Sequence, residues 1–308
     1  MNHLIAQMRT QRIAVTSIGL DGEDLDQVTQ LPKPKIRVAP GFLIATAEDT
    51  LKQAFAKYRV IEHTHMRSAI GNICLVEVTE GGTMLIAGPS SNIPMERVIT
   101  RFKELCADKV LIDGAFSRFT QTSLADGVIL SIGANVSPDI NVVVQNACDV
   151  VDTLSLKQAH PDFHDLEMWD EVIAINAQGE RHALGYASVV GKQGEVFDAI
   201  PKDCRTLYLP RAASSDFLHI YLNERKWQHF NLILKHPASL QGDRRTMKHI
   251  RHLKDWIQVL HPMNLIAVCL NPYAPRGYRF DRELFRELVA KRIDYPVFDV
   301  MEEGGTDE

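Results

Sequence analysis

The fold is decided by the stretch KVLIDGA at residues 109–115. An apolar run that ends in a carboxylate and two small residues predicts a β-strand that stops at a turn. Further strand-like runs lie at 13–18 and 127–132, and helix-like segments lie at 92–105 and 137–151. Because strands that alternate with helices form parallel sheets covered on both faces, we expect an α/β fold with a mainly parallel sheet and helices on both faces.

The carboxylate at the end of the strand predicted at 109–113 is the strongest candidate for a functional-site residue. An apolar strand ending in Asp, here Asp113, is typical of a Walker B element, in which the Asp binds Mg²⁺ directly or through water. Gly114 would let phosphates approach the backbone closely. A second interpretation stays open, in which Asp113 only caps the turn that follows.

Polar residues also follow other strand-like segments. Asn271 follows the run LIAVCL and would hydrogen-bond a nucleotide base, or cap its own backbone. Asp299, near the end of PVFDV, has the same two interpretations. Asp21 follows the run at 13–18 and suits a switch loop near metal and phosphate, or a solvated acidic turn. Since ligands bind beyond the carboxyl ends of parallel strands, these residues are candidates for a nucleotide site.

Composition limits the classes of function. The chain has 308 residues, with 34 Lys and Arg against 39 Asp and Glu, which gives a net charge of 34 − 39 = −5. Without a basic block, we expect no nucleic-acid partner. No apolar run approaches the ~20 residues of a membrane helix, and the N-terminus has no signal-peptide pattern, so we expect no membrane partner and a cytoplasmic location.

Cysteines and histidines give no metal signature by spacing. The five cysteines occur singly, without a CxxC pair, which excludes a zinc ribbon and favours reduced thiols. Histidines are paired at short spacing, as at His63 and His65, but none has the HExxH context. Glu62, His63 and Thr64 close a further strand-like segment and could face the same cleft as Asp113, or form a buried or surface pair.

The organisation of the chain changes near residue 155. We expect a first α/β part at 1–155, a β-rich insertion at 156–225, a second α/β part at 226–301 and a frayed acidic tail at 302–308. In the second α/β part, apolar residues at helical spacing predict a helix from Met247 to Leu260.

A nucleotide hydrolase of this class needs a phosphate cradle, usually GxxxxGK[ST], and the chain contains none. The sequence predicts a helix from Asn2 to Met8, followed by a strand from Ile13. This is how the helix after a P-loop would look, so the first strand and the P-loop are missing from the expected fold. Either this protein does not bind phosphate in this way, or, as we expect, the strand and the P-loop lie in roughly 20 residues preceding Met1.

Several long segments in matching order resemble the ATPase-like subunit of the lysine 5,6-aminomutase reactivase. They are residues 16–47, 85–91, 107–118, 123–134 and 270–281. The resemblance implies the fold of a P-loop nucleoside-triphosphatase. It also implies Mg²⁺ binding by Asp113 and nucleotide binding by Asp21, Gly114, Asn271 and Asp299.

The resemblance further implies a chaperone-like activity. A reactivase is expected to use ATP and Mg²⁺ to open the adenosylcobalamin-dependent mutase, so that damaged cobalamin leaves and intact cofactor enters during lysine fermentation. Its partners would be lysine 5,6-aminomutase and a second reactivase subunit. Two alternatives stay open: a regulatory module that binds the mutase without turnover, and an ATP-dependent ligase related to dethiobiotin synthetase, with residues 170–200 shaping its substrate pocket.

Overall fold

The protein is a mixed α/β structure with several mostly parallel sheets. The computed structural model describes residues 1–8, 10–18, 35–68, 70–114, 124–224, 230–243, 246–247, 255–275 and 277–299. Asp21 and the acidic tail at 302–308 therefore lie outside the described residues. The described residues divide into two compact units, within Met1–Leu124 and within Ala125–Asp299. Within the described part of the chain, no helix has the length and apolar character needed to cross a bilayer.

The first unit is built on one five-stranded sheet, beside a short antiparallel pair of strands. Its helices are α1 (Asn2–Gln7), α2 (Glu48–Leu51) and α3 (Asn92–Glu104), and its strands are β1 (Ile13–Ser17), β2 (Ile36–Val38), β3 (Leu43–Ala47), β4 (Lys57–Ser68), β5 (Gly71–Glu80), β6 (Gly82–Met84) and β7 (Lys109–Asp113). The five-stranded sheet has the order β4-β5-β3-β1-β7, and β2 pairs with β6. β1 runs parallel to both β3 and β7, whereas β5 is antiparallel to β3 and β4.

Both faces of this sheet are covered by apolar side chains. Ile13 and Val15 point to a cluster that also contains Ile5 of α1, and Ala14, between them, points to the cluster of Val98 and Phe102 of α3. The alternation follows from the period of two along a strand. Helix α3 has its apolar residues at helical spacing, so one stripe of it is fully buried on the sheet.

The second unit contains a six-stranded and a three-stranded sheet and a two-stranded pair. Its helices are α4 (Ile140–Leu154), α5 (Gln193–Ala199), α6 (Ser215–Glu224) and α7 (Arg282–Ala290), with 3-10 turns at Ala134–Val136, Pro161–Met168 and Pro237–Ser239. Its strands are β8 (Val128–Gly133), β9 (Lys157–Gln158), β10 (Ile173–Asn176), β11 (Arg181–Ala183), β12 (Cys204–Leu209), β13 (Ala213–Ser214), β14 (Asn231–Leu234), β15 (Leu240–Gln241), β16 (Ile257–Val259), β17 (Leu265–Asn271) and β18 (Val297–Asp299).

The six-stranded sheet has the order β11-β10-β12-β14-β16-β9. Strands from the segment 156–225 share it with β14 and β16, which come later in the chain. The helix predicted from Met247 to Leu260 is wrong at its end, because Ile257–Val259 is a strand that pairs in parallel with β14. Residues 248–254 of that prediction lie outside the described residues.

The three-stranded sheet is entirely parallel, in the order β18-β17-β8. Helices α4 and α7 pack on each other, α4 contacts β8, and α7 contacts β18. The register aligns Asn271 with Gly133 and Leu270 with Asp299, so the carboxyl ends of all three strands lie together.

Candidate functional site

In the first unit, the carboxyl ends of β1 and β7 lie side by side. The parallel register aligns Ser17 with Asp113, and the N–H of Ile18 donates to the Asp113 carbonyl at 2.7 Å. The Asp113 side chain is exposed. Gly114 continues the chain, where an added Cβ would lie 2.7 Å from Cδ1 of Ile18. The backbone at Asp113 is therefore fixed, while its carboxylate faces solvent at the end of a parallel strand.

The segment at 85–91 is attached to the same strand ends. The Ser17 hydroxyl donates to the carbonyl of Ile86 at 2.9 Å and accepts from the N–H of Gly88 at 2.9 Å. An added Cβ on Gly88 would lie only 2.1 Å from the Ser17 carbonyl oxygen. Only glycine therefore allows this close approach of two backbones.

Buried hydroxyl groups hold the same segment to β3. The hydroxyl of Thr46 accepts from the N–H of Ala87 at 2.8 Å and shares a hydrogen bond with the Thr50 hydroxyl at 2.6 Å. The N–H of Ala47 donates to the Ala87 carbonyl at 2.9 Å. Because buried polar groups are costly unless paired, these threonines fix the segment at the strand ends. Sequence reasoning did not single them out as supports of the site.

The residues around Asp113 fit Mg²⁺ by their chemistry. Mg²⁺ prefers oxygen ligands, keeps several waters, and is usually bound by one or two carboxylates together with substrate phosphates. An exposed carboxylate at the carboxyl end of a parallel strand meets this requirement, and Gly114 adds no side chain beside it. Asp113 is therefore a candidate ligand for this ion.

In the second unit, a cleft of about 410 Å³ opens at the carboxyl ends of β8 and β17. It is lined by Ser131, Ile132, Gly133, Asn135, Asn271, Tyr273, Ala274 and Pro275. An added Cβ on Gly133 would lie 2.9 Å from the Asn271 carbonyl oxygen, so a glycine is needed where the strands end. The Tyr278 hydroxyl donates to the Ala134 carbonyl and ties the loop after β17 to the end of β8.

Asn271 lies in this cleft but also caps its own backbone. Its side-chain oxygen accepts from the N–H of Tyr273 at 3.1 Å. An amide group has two N–H donors besides that oxygen, and these remain suited to the acceptors of a nucleotide base. The two interpretations of Asn271 are therefore compatible with each other.

Asp299 is engaged in an ion pair. Its carboxylate accepts from Nε of Arg282 at 2.7 Å, and its side chain is only 3% exposed. The residue ends β18 as the sequence predicts, but it does not line the cleft. Its position suits a support of the α7–β18 packing better than direct contact with a ligand.

The sequence-predicted residues thus fall into two groups. Asp113 and Gly114 belong to the first unit, Asn271 and Asp299 belong to the second, and Asp21 lies outside the described residues. Comparison with protein-family models, curated proteins and solved structures finds no match for this chain. Its function is therefore proposed from its own residues.

Proposed function

We propose that this chain is the ATPase-like subunit of a reactivase for adenosylcobalamin-dependent lysine 5,6-aminomutase. The observation that carries the proposal is the exposed carboxylate of Asp113 at the carboxyl end of a parallel strand, beside Ser17. It has the location and chemistry that a Walker B aspartate requires. The resembling segments at 107–118 and 270–281 contain Asp113 and Asn271, the two candidates at exposed strand ends.

Each candidate residue has a distinct part in this proposal. Asp113 holds Mg²⁺. The side chain of Ile18 fills the space beside Gly114, so only the backbone of Gly114 would contact the phosphates. Asn271 belongs to the second unit, and we propose it separately as a donor to a nucleotide base in the cleft at the ends of β8 and β17. Asp299 positions α7 through Arg282. Bound Mg²⁺ supplies charge neutralisation on the triphosphate.

The finer fold belongs to the same proposal. We propose a fold of the P-loop nucleoside-triphosphatase class that lacks the first strand and the GxxxxGK[ST] cradle, which is absent from these 308 residues. The proposal is supported by the first unit, which has parallel strands with helices on both faces and a carboxylate at a strand end. In this proposal the protein has two conformations, and ATP binding favours one of them. The protein can open the mutase only if these two conformations bind the mutase with different affinities.

A reactivation assay tests the proposal. Lysine 5,6-aminomutase loaded with cobalamin that lacks its adenosyl group is mixed with this chain, the second reactivase subunit, ATP, Mg²⁺ and fresh adenosylcobalamin. We expect mutase activity to return only when ATP and Mg²⁺ are both present. Asp113→Asn should abolish the recovery. Glu80→Gln, which alters an exposed carboxylate paired with Lys57, should not.

The other outcomes separate the alternatives. Complex formation with the mutase, without any nucleotide requirement, would identify a binding module that regulates the mutase. ATP consumption that requires a small organic substrate and not the mutase would identify a ligase. Absence of both complex formation and reactivation would overturn the proposal.

A further inference from the structure

Three side chains of the first unit direct metal-ligating atoms at one point. They are Glu48, His63 and Cys74, whose ligand atoms all lie within 4.8 Å of one another. Nδ1 of His63 lies 2.6 Å from Oε1 of Glu48 and 4.0 Å from Sγ of Cys74. A carboxylate oxygen, an imidazole nitrogen and a thiol sulfur thus meet at a place remote in sequence from Asp113.

The sheet brings these residues together through its register. His63 of β4 lies directly opposite Cys74 of β5 in the antiparallel pair. On the other side of β5, Thr46 of β3 is the partner of Cys74, and Glu48 begins α2 immediately after that strand ends. The ladder of β4 and β5 shifts register on both sides of His63, and such irregularities redirect side chains.

The geometry differs from that of a catalytic relay. A nucleophile, a base and an orienting carboxylate require the two ring nitrogens of the histidine to face different partners. Here Glu48 and Cys74 both face the same nitrogen, Nδ1 of His63. Three lone-pair donors that converge on one point form a ligand set for a cation instead.

We propose that Glu48, His63 and Cys74 form a Zn²⁺ site with its fourth position open to solvent. Zn²⁺ accepts sulfur, nitrogen and carboxylate oxygen ligands, and sites with three protein ligands keep one position for water or substrate. Cys74 is fully buried, whereas the side chains of His63 and Glu48 are 69% and 40% exposed. The ion would therefore enter from the side on which His63 and Glu48 are exposed to solvent.

Small side-chain movements complete the site. Tetrahedral Zn²⁺ holds neighbouring ligand atoms about 3.5 Å apart. The Glu48–His63 contact at 2.6 Å must then lengthen by roughly 1 Å, and the His63–Cys74 contact at 4.0 Å must shorten by about half as much. Both exposed side chains can make this adjustment by rotation. Burial raises the pKa of the Cys74 thiol, so binding a cation releases a proton from it.

Titration of the reduced chain with Co²⁺, a spectroscopic substitute for Zn²⁺, tests the proposal. We expect one equivalent to bind with a thiolate-to-cobalt charge-transfer band and the visible bands of a tetrahedral site, and Zn²⁺ to displace it. Glu48→Gln and His63→Gln should each weaken binding at least about tenfold, since even outer-shell changes cost that much. Cys74→Ser should remove the charge-transfer band.

Matched controls separate this site from adventitious binding. His65→Gln alters a neighbouring exposed histidine of β4, and Cys106→Ser removes the exposed cysteine; both should leave the band and the affinity unchanged. The exposed positions Glu48 and His63 keep the test valid if Cys74→Ser fails to fold. Absence of a cobalt–thiolate band in the reduced chain, or equal weakening by His65→Gln, would overturn the proposal.

The experiment is also independent of the reactivase proposal. Asp113→Asn should leave the cobalt spectrum unchanged, because Asp113 is not one of the three ligands. If the chain fails to reactivate the mutase but binds Co²⁺ through Cys74, the reactivase proposal fails and the Zn²⁺ proposal stands. If the chain reactivates the mutase but shows no cobalt–thiolate band, only the Zn²⁺ proposal is overturned.

Discussion

Ser17 and Asp113 are direct partners in the parallel pairing of β1 and β7, and each is the last residue of its strand. The Ser17 hydroxyl is buried and bonded to the segment at 85–91, whereas the Asp113 carboxylate is exposed. One strand end is therefore fixed in the interior, and its neighbour presents a charge to solvent. This division suits a rigid support beside the carboxylate that we propose as a metal ligand.

Gly88→Ala is predicted to destabilise the protein. An added Cβ would lie 2.1 Å from the Ser17 carbonyl oxygen, so the segment at 85–91 must move away from β1. Overpacking of this kind costs about 1–3 kcal/mol in the free energy of unfolding, measured by chemical denaturation. The control is Gly194→Ala in α5, where nothing lies within 4 Å of the new Cβ and helix propensity favours alanine. Equal stability of the two variants would contradict the close approach at Gly88.

Asp299→Asn is predicted to cost about 1–3 kcal/mol in the free energy of unfolding. The carboxylate is buried against Arg282, whose side chain is 36% exposed, so solvent reduces the loss below that of a fully buried pair. Glu80→Gln, which breaks the exposed Lys57 pair, should change stability by less than about 1 kcal/mol. A smaller loss for Asp299→Asn than for Glu80→Gln would show that the Arg282 pair does not stabilise the unit.

His236 is predicted to make stability fall in acid. Burial, with smaller contributions from the charges of His261 and Lys235, lowers its pKa from 6.5 to about 4. Between those two values the unfolded chain takes up a proton and the folded chain does not. The free energy of unfolding therefore decreases as pH falls through this window, by up to about 1.4 kcal/mol per pH unit, and this contribution is constant outside it.

Denaturation series at several pH values measure this effect. His236→Gln should reduce the acid slope, whereas His182→Gln, which alters an exposed histidine of β11, should retain it. An unchanged slope in His236→Gln would assign the acid sensitivity to other groups.

Asn271→Ala is predicted to weaken nucleotide binding without unfolding the second unit. The residue lines the cleft at the ends of β8 and β17, and its loss removes the proposed donor to the base. A lost hydrogen bond of this kind costs about 1 kcal/mol, roughly a fivefold change in Kd measured by titration calorimetry. Asn141→Ala, at an exposed position of α4, should leave Kd unchanged. Unaltered binding in Asn271→Ala would remove Asn271 from the site.

The periodicity of apolar residues correctly predicted elements such as α3 and β7. The sequence predicted a helix-like segment at 92–105, and α3 spans Asn92–Glu104, with Val98 and Phe102 fully buried. The run KVLID indicated a strand that ends at Asp113, and β7 has those bounds. In both cases the apolar periodicity matches the period of the element, so sequence and packing agree.

Pairing between distant segments could not be predicted in the same way. The residues Ile257–Val259 fit a helical pattern, yet they form a strand because β14 offers a parallel partner, and such context overrides propensity. Glu48, His63 and Cys74 lie 15 and 11 residues apart and meet only through the register of three strands. No spacing motif indicates such a cluster.

The central claim is that Asp113 holds the Mg²⁺ of a bound nucleoside triphosphate. Titration calorimetry of ATP into the chain, with and without Mg²⁺, measures this most directly in the original protein and in Asp113→Asn. The account predicts binding that requires Mg²⁺ and becomes at least about tenfold weaker in Asp113→Asn, which corresponds to about 1.4 kcal/mol. Binding that is equally tight in Asp113→Asn, or that is unaffected by Mg²⁺, would contradict it.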